Sequence, residues 1–332
     1  MRLRPVRTYV PMKSTSYNGF RASLAVGLLS CATFVCASQV GSKAPVESSF
    51  TRLVHTDKTT VALETRDVKL VPVDGHGPII WLVSAAHIGQ ASYYKSIQKL
   101  LDAQSLVLFE GVKKEQTAAE AAQAPAGDAK PKTPFPAKAS STYLMLADAV
   151  GLEFQLDDID YSHKNFENCD LTWAQVNALS VKAGKGAQSN ISNIGKILDA
   201  NSSEGKMFAG ALQQIKADPG SQAAMRVVLA EALSKPGLLE KFLGDATTDV
   251  LIKSRNAKVL AQVHKESSKP SIAIFFGAAH MPDMERHIID DMHYREAEDM
   301  WMPAITADES KVTGQGVAIL SAFRSLLQVP KA

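Results

Sequence analysis

The chain has 332 residues, 45% of them hydrophobic and 21% charged, with a formal net charge of +2. Those are the proportions of a globular protein with a sizeable core, in one large domain or two small ones. Five cations (Arg2, Arg4, Arg7, Lys13 and Arg21) and no acid fall within residues 1–37, so the rest of the chain is slightly acidic and argues against nucleic acid as a partner.

The basic start leads into an apolar stretch at residues 22–37 (ASLAVGLLSCATFVCA) that ends in small residues. Basic head, apolar run and small-residue exit are the layout of a secretory signal, with cleavage expected near Ala37. The run is short for a bilayer-spanning helix. An alternative uses Leu28-Leu29-Ser30-Cys31 as a lipoprotein signal, with Cys31 acylated and the protein membrane-anchored by lipid. Either way the expected address is periplasmic or secreted. Of three cysteines, Cys31 and Cys36 lie in this segment. Cys169 alone can neither close a disulfide nor build a thiolate cage for a metal.

Residues 38–59 are polar and read as a tether. Residues 60–73 alternate apolar and polar, as a half-buried strand pair or hairpin does. A turn at Asp74-Gly75-His76-Gly77-Pro78 precedes an apolar strand at residues 79–83 (IIWLV), the sequence Ser84-Ala85-Ala86-His87, a helix at 93–101 and a second strand at 105–110. That is one strand–helix–strand unit of a parallel sheet. Residues 114–139 are rich in Ala, Pro, Lys and Gln without apolar periodicity, and read as a disordered insertion. A helix at 141–150, capped by Ser140 or Ser141, and a strand at 153–156 follow. Residues 172–265 read as an all-helical insert over the sheet edge, with Thr172, Ser202 and Asp249 as caps. The strand at 272–276 (IAIFF), a turn carrying His280, a helix through Asp291, a strand at 294–301 and a surface amphipathic helix at 316–327 complete the chain.

The expected fold class is therefore α/β, with a central, largely parallel sheet. In such sheets ligands bind at the carboxyl ends of the strands. His87, Glu110 and His280 all fall at or just past such ends, and both histidines close an Ala-Ala-His turn after a fully apolar strand. Two imidazoles and a carboxylate are a common ligand set for a catalytic divalent metal. Gln155, Asp158, Asp160 and His163 could line the same edge, and His287 follows His280 by seven residues on nearly the same helix face. The methionines 281, 284, 292, 300 and 302 read as core filler. No GxSxG elbow, HExxH helix, P-loop or dinucleotide fingerprint is present.

The paired Ala-Ala-His turns, the strand end Phe109-Glu110-Gly111-Val112, the pair Arg255-Asn256 and the segment Phe276-Gly277-Ala278-Ala279-His280 together resemble the TraB/GumN (TIKI-like) family over residues 60–305. Two departures stand out: Ser84 where the first family motif has glycine, and Ser254 where an acid often precedes the Arg-Asn pair. The resemblance implies a metal-dependent hydrolase (metalloprotease-like) with a divalent cofactor, Mn, Co or Zn, and a peptide or protein substrate. By position it makes His87 and His280 metal ligands and Glu110 a ligand or general base. It places Arg255 on a carboxylate or the substrate carbonyl, and makes Asn256 a brace for the turn. The alternative on the same scaffold is a protein that binds metal or haem without turnover, or that sequesters a signalling peptide.

Overall fold

A computed structural model of the chain describes residues 49–113, 137–199, 201–235, 237–238 and 243–328. The expected signal segment, with its cleavage and lipidation points, and residues 114–136 of the expected insertion lie outside them. No helix among the described residues is long and apolar enough to cross a membrane.

The chain is α/β. Strands β1 (Thr51–His55), β2 (Thr60–Pro72), β3 (Ile79–Ala85), β5 (Leu106–Phe109), β7 (Phe166–Asn168), β8 (Ser271–Gly277) and β9 (Tyr294–Asp308) build one sheet, while β4 (Ile88–Gly89) and β6 (Glu153–Phe154) pair apart from it. β3, β8, β5 and β7 lie side by side and parallel. β2 carries antiparallel neighbours on both edges, with β9 along its whole length. The helices are α1 (Ala91–Asp102), α2 (Ala137–Val150), α3 (Trp173–Ala183), α4 (Lys185–Leu198), α5 (Ser203–Ala217), α6 (Pro219–Leu233), α7 (Ser254–Lys265), α8 (Met281–Asp290) and α9 (Gln315–Gln328).

The central strands are apolar throughout because both faces are covered. Along β8, Ala273 and Phe275 face one cluster, with Tyr94, Ile97 and Leu101 of α1 and Leu146 and Val150 of α2. Ile272, Ile274 and Phe276 face the other, with Val259 and Val263 of α7 and Met281, Met284 and Ile288 of α8. The period of two along one strand thus feeds two cores and produces a three-layer arrangement. Met281 and Met284 are core filler, as the sequence suggested.

Several sequence expectations need correction. The segment at 60–73 is a single long strand, β2, because its partners, β1 and β3 on one edge and β9 on the other, all lie outside the segment. The expected tether contributes β1, and Phe50 is buried, so order begins before residue 60. The helix expected from Ser140 or Ser141 already starts at Ala137. The strand expected at 153–156 stops at Phe154, where a helical turn, Gln155–Asp158, begins. Thr172 and Ser202 do cap α3 and α5, Thr172 with a full capping box. Asp249 starts no helix as an N-cap; it closes the short helix Asp245–Thr248 and opens a π-helical turn, Asp249–Lys253, that runs into α7. β9 extends to Asp308, past the expected domain limit at 305.

Ile274 is fully buried on β8. Ile274→Ala should lower stability by about 2–5 kcal/mol, read as a fall in the urea midpoint with unchanged slope. A loss under ~1 kcal/mol would contradict the packing described.

Candidate active site

Strand order brings the distant residues together. β3 and β5 are joined through α1, but β8 inserts between them. The turn after β8 therefore lies between the turn carrying His87 and the end of β5 carrying Glu110. Gly277 is in register with Ala85, and the Glu110 amide donates to the Phe275 carbonyl at 3.0 Å.

Glu110 is the hub. Its Oε2 accepts from the Gly277 amide at 2.7 Å and its Oε1 from Arg255 at 2.7 Å. His280 Nε2 stands 3.6 Å from Oε1. Gly277 has an ordinary φ of −53°, so its backbone conformation does not itself require glycine. Its role is space: a Cβ would come to 3.3 Å from both Glu110 Oε2 and His87 Nε2. Two imidazoles and the carboxylate thus converge beside a bare backbone position.

Each ring is oriented by an amide side chain. His87 Nδ1 donates to Gln155 Oε1 at 2.9 Å, and Gln155 Nε2 donates to the Tyr161 hydroxyl at 2.8 Å. His280 Nδ1 donates to Asn256 Oδ1 at 2.7 Å, and Asn256 Nδ2 donates to the His280 carbonyl at 3.1 Å. In both rings the proton sits on Nδ1 and the Nε2 lone pair points inward, the arrangement metal-ligating histidines adopt. Glu110, Arg255, Asn256 and His280 are buried, while His87 is half-buried.

Arg255 also binds Asp170, Nε to Oδ1 at 2.9 Å and Nη2 to Oδ2 at 2.5 Å, and its Nη1 donates to His280 Nε2 at 3.3 Å. Burial pushes the Glu110 carboxyl up, but Arg255, the imidazoles and the Gly277 amide outweigh it and hold it far below the usual carboxylate range. Burial dominates at His280 and brings it down to about 4, so the ring is neutral at pH 7.

Ser84 does not disturb the first motif, because its φ is not positive. Its hydroxyl donates to the Arg66 carbonyl at 2.6 Å and its amide to buried Asp67 at 2.8 Å. The Tyr93 hydroxyl donates to the Ser84 carbonyl at 2.7 Å. Ser254 caps the Asp249 carbonyl at 3.0 Å, and Arg255 finds its acids just past the ends of β5 and β7.

Of the secondary candidates, only Gln155 joins the site. Asp158 and Asp160 are exposed. His163 pairs with Asp102 at 2.8 Å and Asp160 at 3.4 Å, near the end where β5 and β7 begin, opposite the site. His287 pairs with Asp291 at 2.5 Å and approaches Asp283 at 3.6 Å at the surface of α8. Asp170, Tyr161 and Asp283 escaped the sequence reading. Asp170 lies just past β7, so the rule that selected Glu110 would have selected it. β7 (FEN) is three residues long and carries no apolar run to betray it.

No family model, no curated protein and no solved structure matches the chain.

The pH dependence follows from His280. Unfolded, it titrates near 6.5; folded, at about 4. Between those values the unfolded state holds the extra proton, so stability is lost as pH falls through that window, by up to about 1.4 kcal/mol per pH unit. Glu110 acts in the same sense lower down: its contribution is full above 4.5 and lost as pH falls below it. His280→Asn should flatten the dependence of the urea midpoint on pH between 6.5 and 4, measured in chelator. An unchanged slope would contradict a neutral, buried His280.

Proposed function

We propose that this chain is an exported metal-dependent hydrolase acting on peptide or amide bonds. The observation that carries the reading is the convergence of two Nδ1-anchored imidazoles on the Glu110 carboxylate beside Gly277. The donor set fits a divalent cation such as Mn, Co or Zn once Arg255 withdraws from His280: two unprotonated Nε2 atoms, a carboxylate held ionised, and one negative charge left over from Glu110 and Asp170 after Arg255. The motifs shared with the TraB/GumN family support the same reading. So does the basic-then-apolar N-terminal segment for export, with lipid anchoring at Cys31 as its variant.

A cation bound there would supply Lewis acidity and lower the pKa of a coordinated water. The chain's own part is orientation and charge. Gln155 and Asn256 keep the His87 and His280 protons on Nδ1, away from the centre. Arg255 keeps Glu110 ionised, which suits Glu110 to the ligand role better than to that of a base, since a group with so low a proton affinity takes protons poorly. Half-buried His87 is the side from which a peptide reaches the cluster.

The second reading is a protein that holds metal, haem or a captured peptide without turnover, and two observations favour its metal-free form, peptide capture. Arg255 Nη1 already occupies the His280 Nε2 lone pair at 3.3 Å, and the described residues contain no group of His, Cys, Asp and Glu set as a ready-made metal cage.

Metal analysis of the purified protein, with a peptide-library assay in the presence and absence of chelator, separates the two. The hydrolase reading expects stoichiometric divalent metal and chelator-sensitive cleavage. His280→Ala should remain soluble and lose metal affinity on the order of tenfold or more. Metal without cleavage favours the binder, and full occupancy in His280→Ala contradicts the site.

A further inference from the structure

The two histidines are anchored alike at their rings and differently one step further out. Behind His87, Gln155 Nε2 ends on the Tyr161 hydroxyl, a group that can donate or accept and so tolerates either orientation of the amide. Behind His280, Asn256 Nδ2 ends at 2.8 Å on Asp283 Oδ2, a carboxylate that can only accept. An amide turned the other way would set its oxygen against that carboxylate. It would also set its NH2 against the His280 Nδ1 proton.

We infer that Asp283 is a positioning residue for His280: through Asn256 it holds the ring as the Nδ1–H tautomer and keeps the Nε2 lone pair turned toward Glu110. Three features of the structure suit the role. Asp283 sits in the first turn of α8, three residues past His280, where a carboxylate also complements the helix dipole. Its second oxygen is held by Arg286 at 2.9 Å, with His287 Nε2 at 3.6 Å, so the carboxylate has one fixed face left for Asn256. Its bond to Asn256 is charge-assisted and shorter than the 3.1 Å bond from the same amide to the His280 carbonyl. His287 thus contributes from the surface, as a neighbour of Asp283 and not of the imidazole cluster.

The inference rests on the proposed site only for its consequence, so the test reads the tautomer directly. Protein labelled with ¹⁵N-histidine is studied metal-free at pH 7.5, and the His280 ring nitrogens are assigned by difference from His280→Asn. Wild type should give one Nδ1–H, bare-Nε2 pattern. Asp283→Leu should shift His280 toward a mixture of tautomers and weaken Zn²⁺ binding by about tenfold. Asp283→Asn, whose amide oxygen can still accept from Asn256, should restore both readouts. Asp283→Ala serves where the leucine variant does not fold, with the same expectation. A wild-type ring pattern in the folded leucine or alanine variant overturns the inference. Should wild type bind no Zn²⁺ at all, the proposed function fails while the ring pattern still decides the role of Asp283.

Discussion

The buried contact of Arg255 with Glu110 and Asp170 is the constraint on which the rest depends. Three charges with almost no exposed surface meet where β5 and β7 end and α7 begins. Burying ions costs several kcal/mol each, and such a group is tolerable only when every polar atom is partnered. Here the partners are in place. Asp170 accepts from the amides of Gly111 and Leu171, Glu110 from that of Gly277, and Arg255 also donates to the Leu251 carbonyl. Removal of any one charge would strand the others. The triad therefore ties the end of the helical insert to the strand ends and fixes where Glu110 can point.

Geometry at the strand ends follows from β8 entering between β3 and β5. A simple succession of neighbouring strands would put the His87 turn directly beside Glu110 and leave no third position. Insertion of the later strand instead places Gly277 between them, with His280 one short helical turn beyond. Ser84 then links the two motifs by a second route. It bonds the Arg66 backbone, and the Arg66 side chain reaches Glu285 of α8 at 3.3 Å. Ser84 is thus a tie between the histidine-bearing turns.

Much of this architecture was legible in the sequence because central strands must be apolar on both faces. IIWLV, SLVLF and IAIFF announce themselves, and the residues that follow them are the site. What escaped depends on non-local pairing. β2 has local antiparallel partners in β1 and β3, but the strand that pairs along its whole length, β9, comes more than two hundred residues later. β7 is too short to carry a pattern, so Asp170 passed for part of a polar connection. Amide residues such as Asn256 and Gln155 carry no signal of what they orient. Asp160 and His163 were drawn in by their residue types, and topology sends them to the other end of the sheet.

Arg255 is also where the hydrolase account is most exposed, since its Nη1 contests His280 Nε2 with any cation. An anomalous-difference map from crystals soaked in Mn²⁺ or Zn²⁺ tests this most directly. The account predicts one strong peak in contact with His87 Nε2, His280 Nε2 and the Glu110 carboxylate, with Arg255 withdrawn from His280. A map with no peak there, and the guanidinium still on the His280 ring, would contradict it.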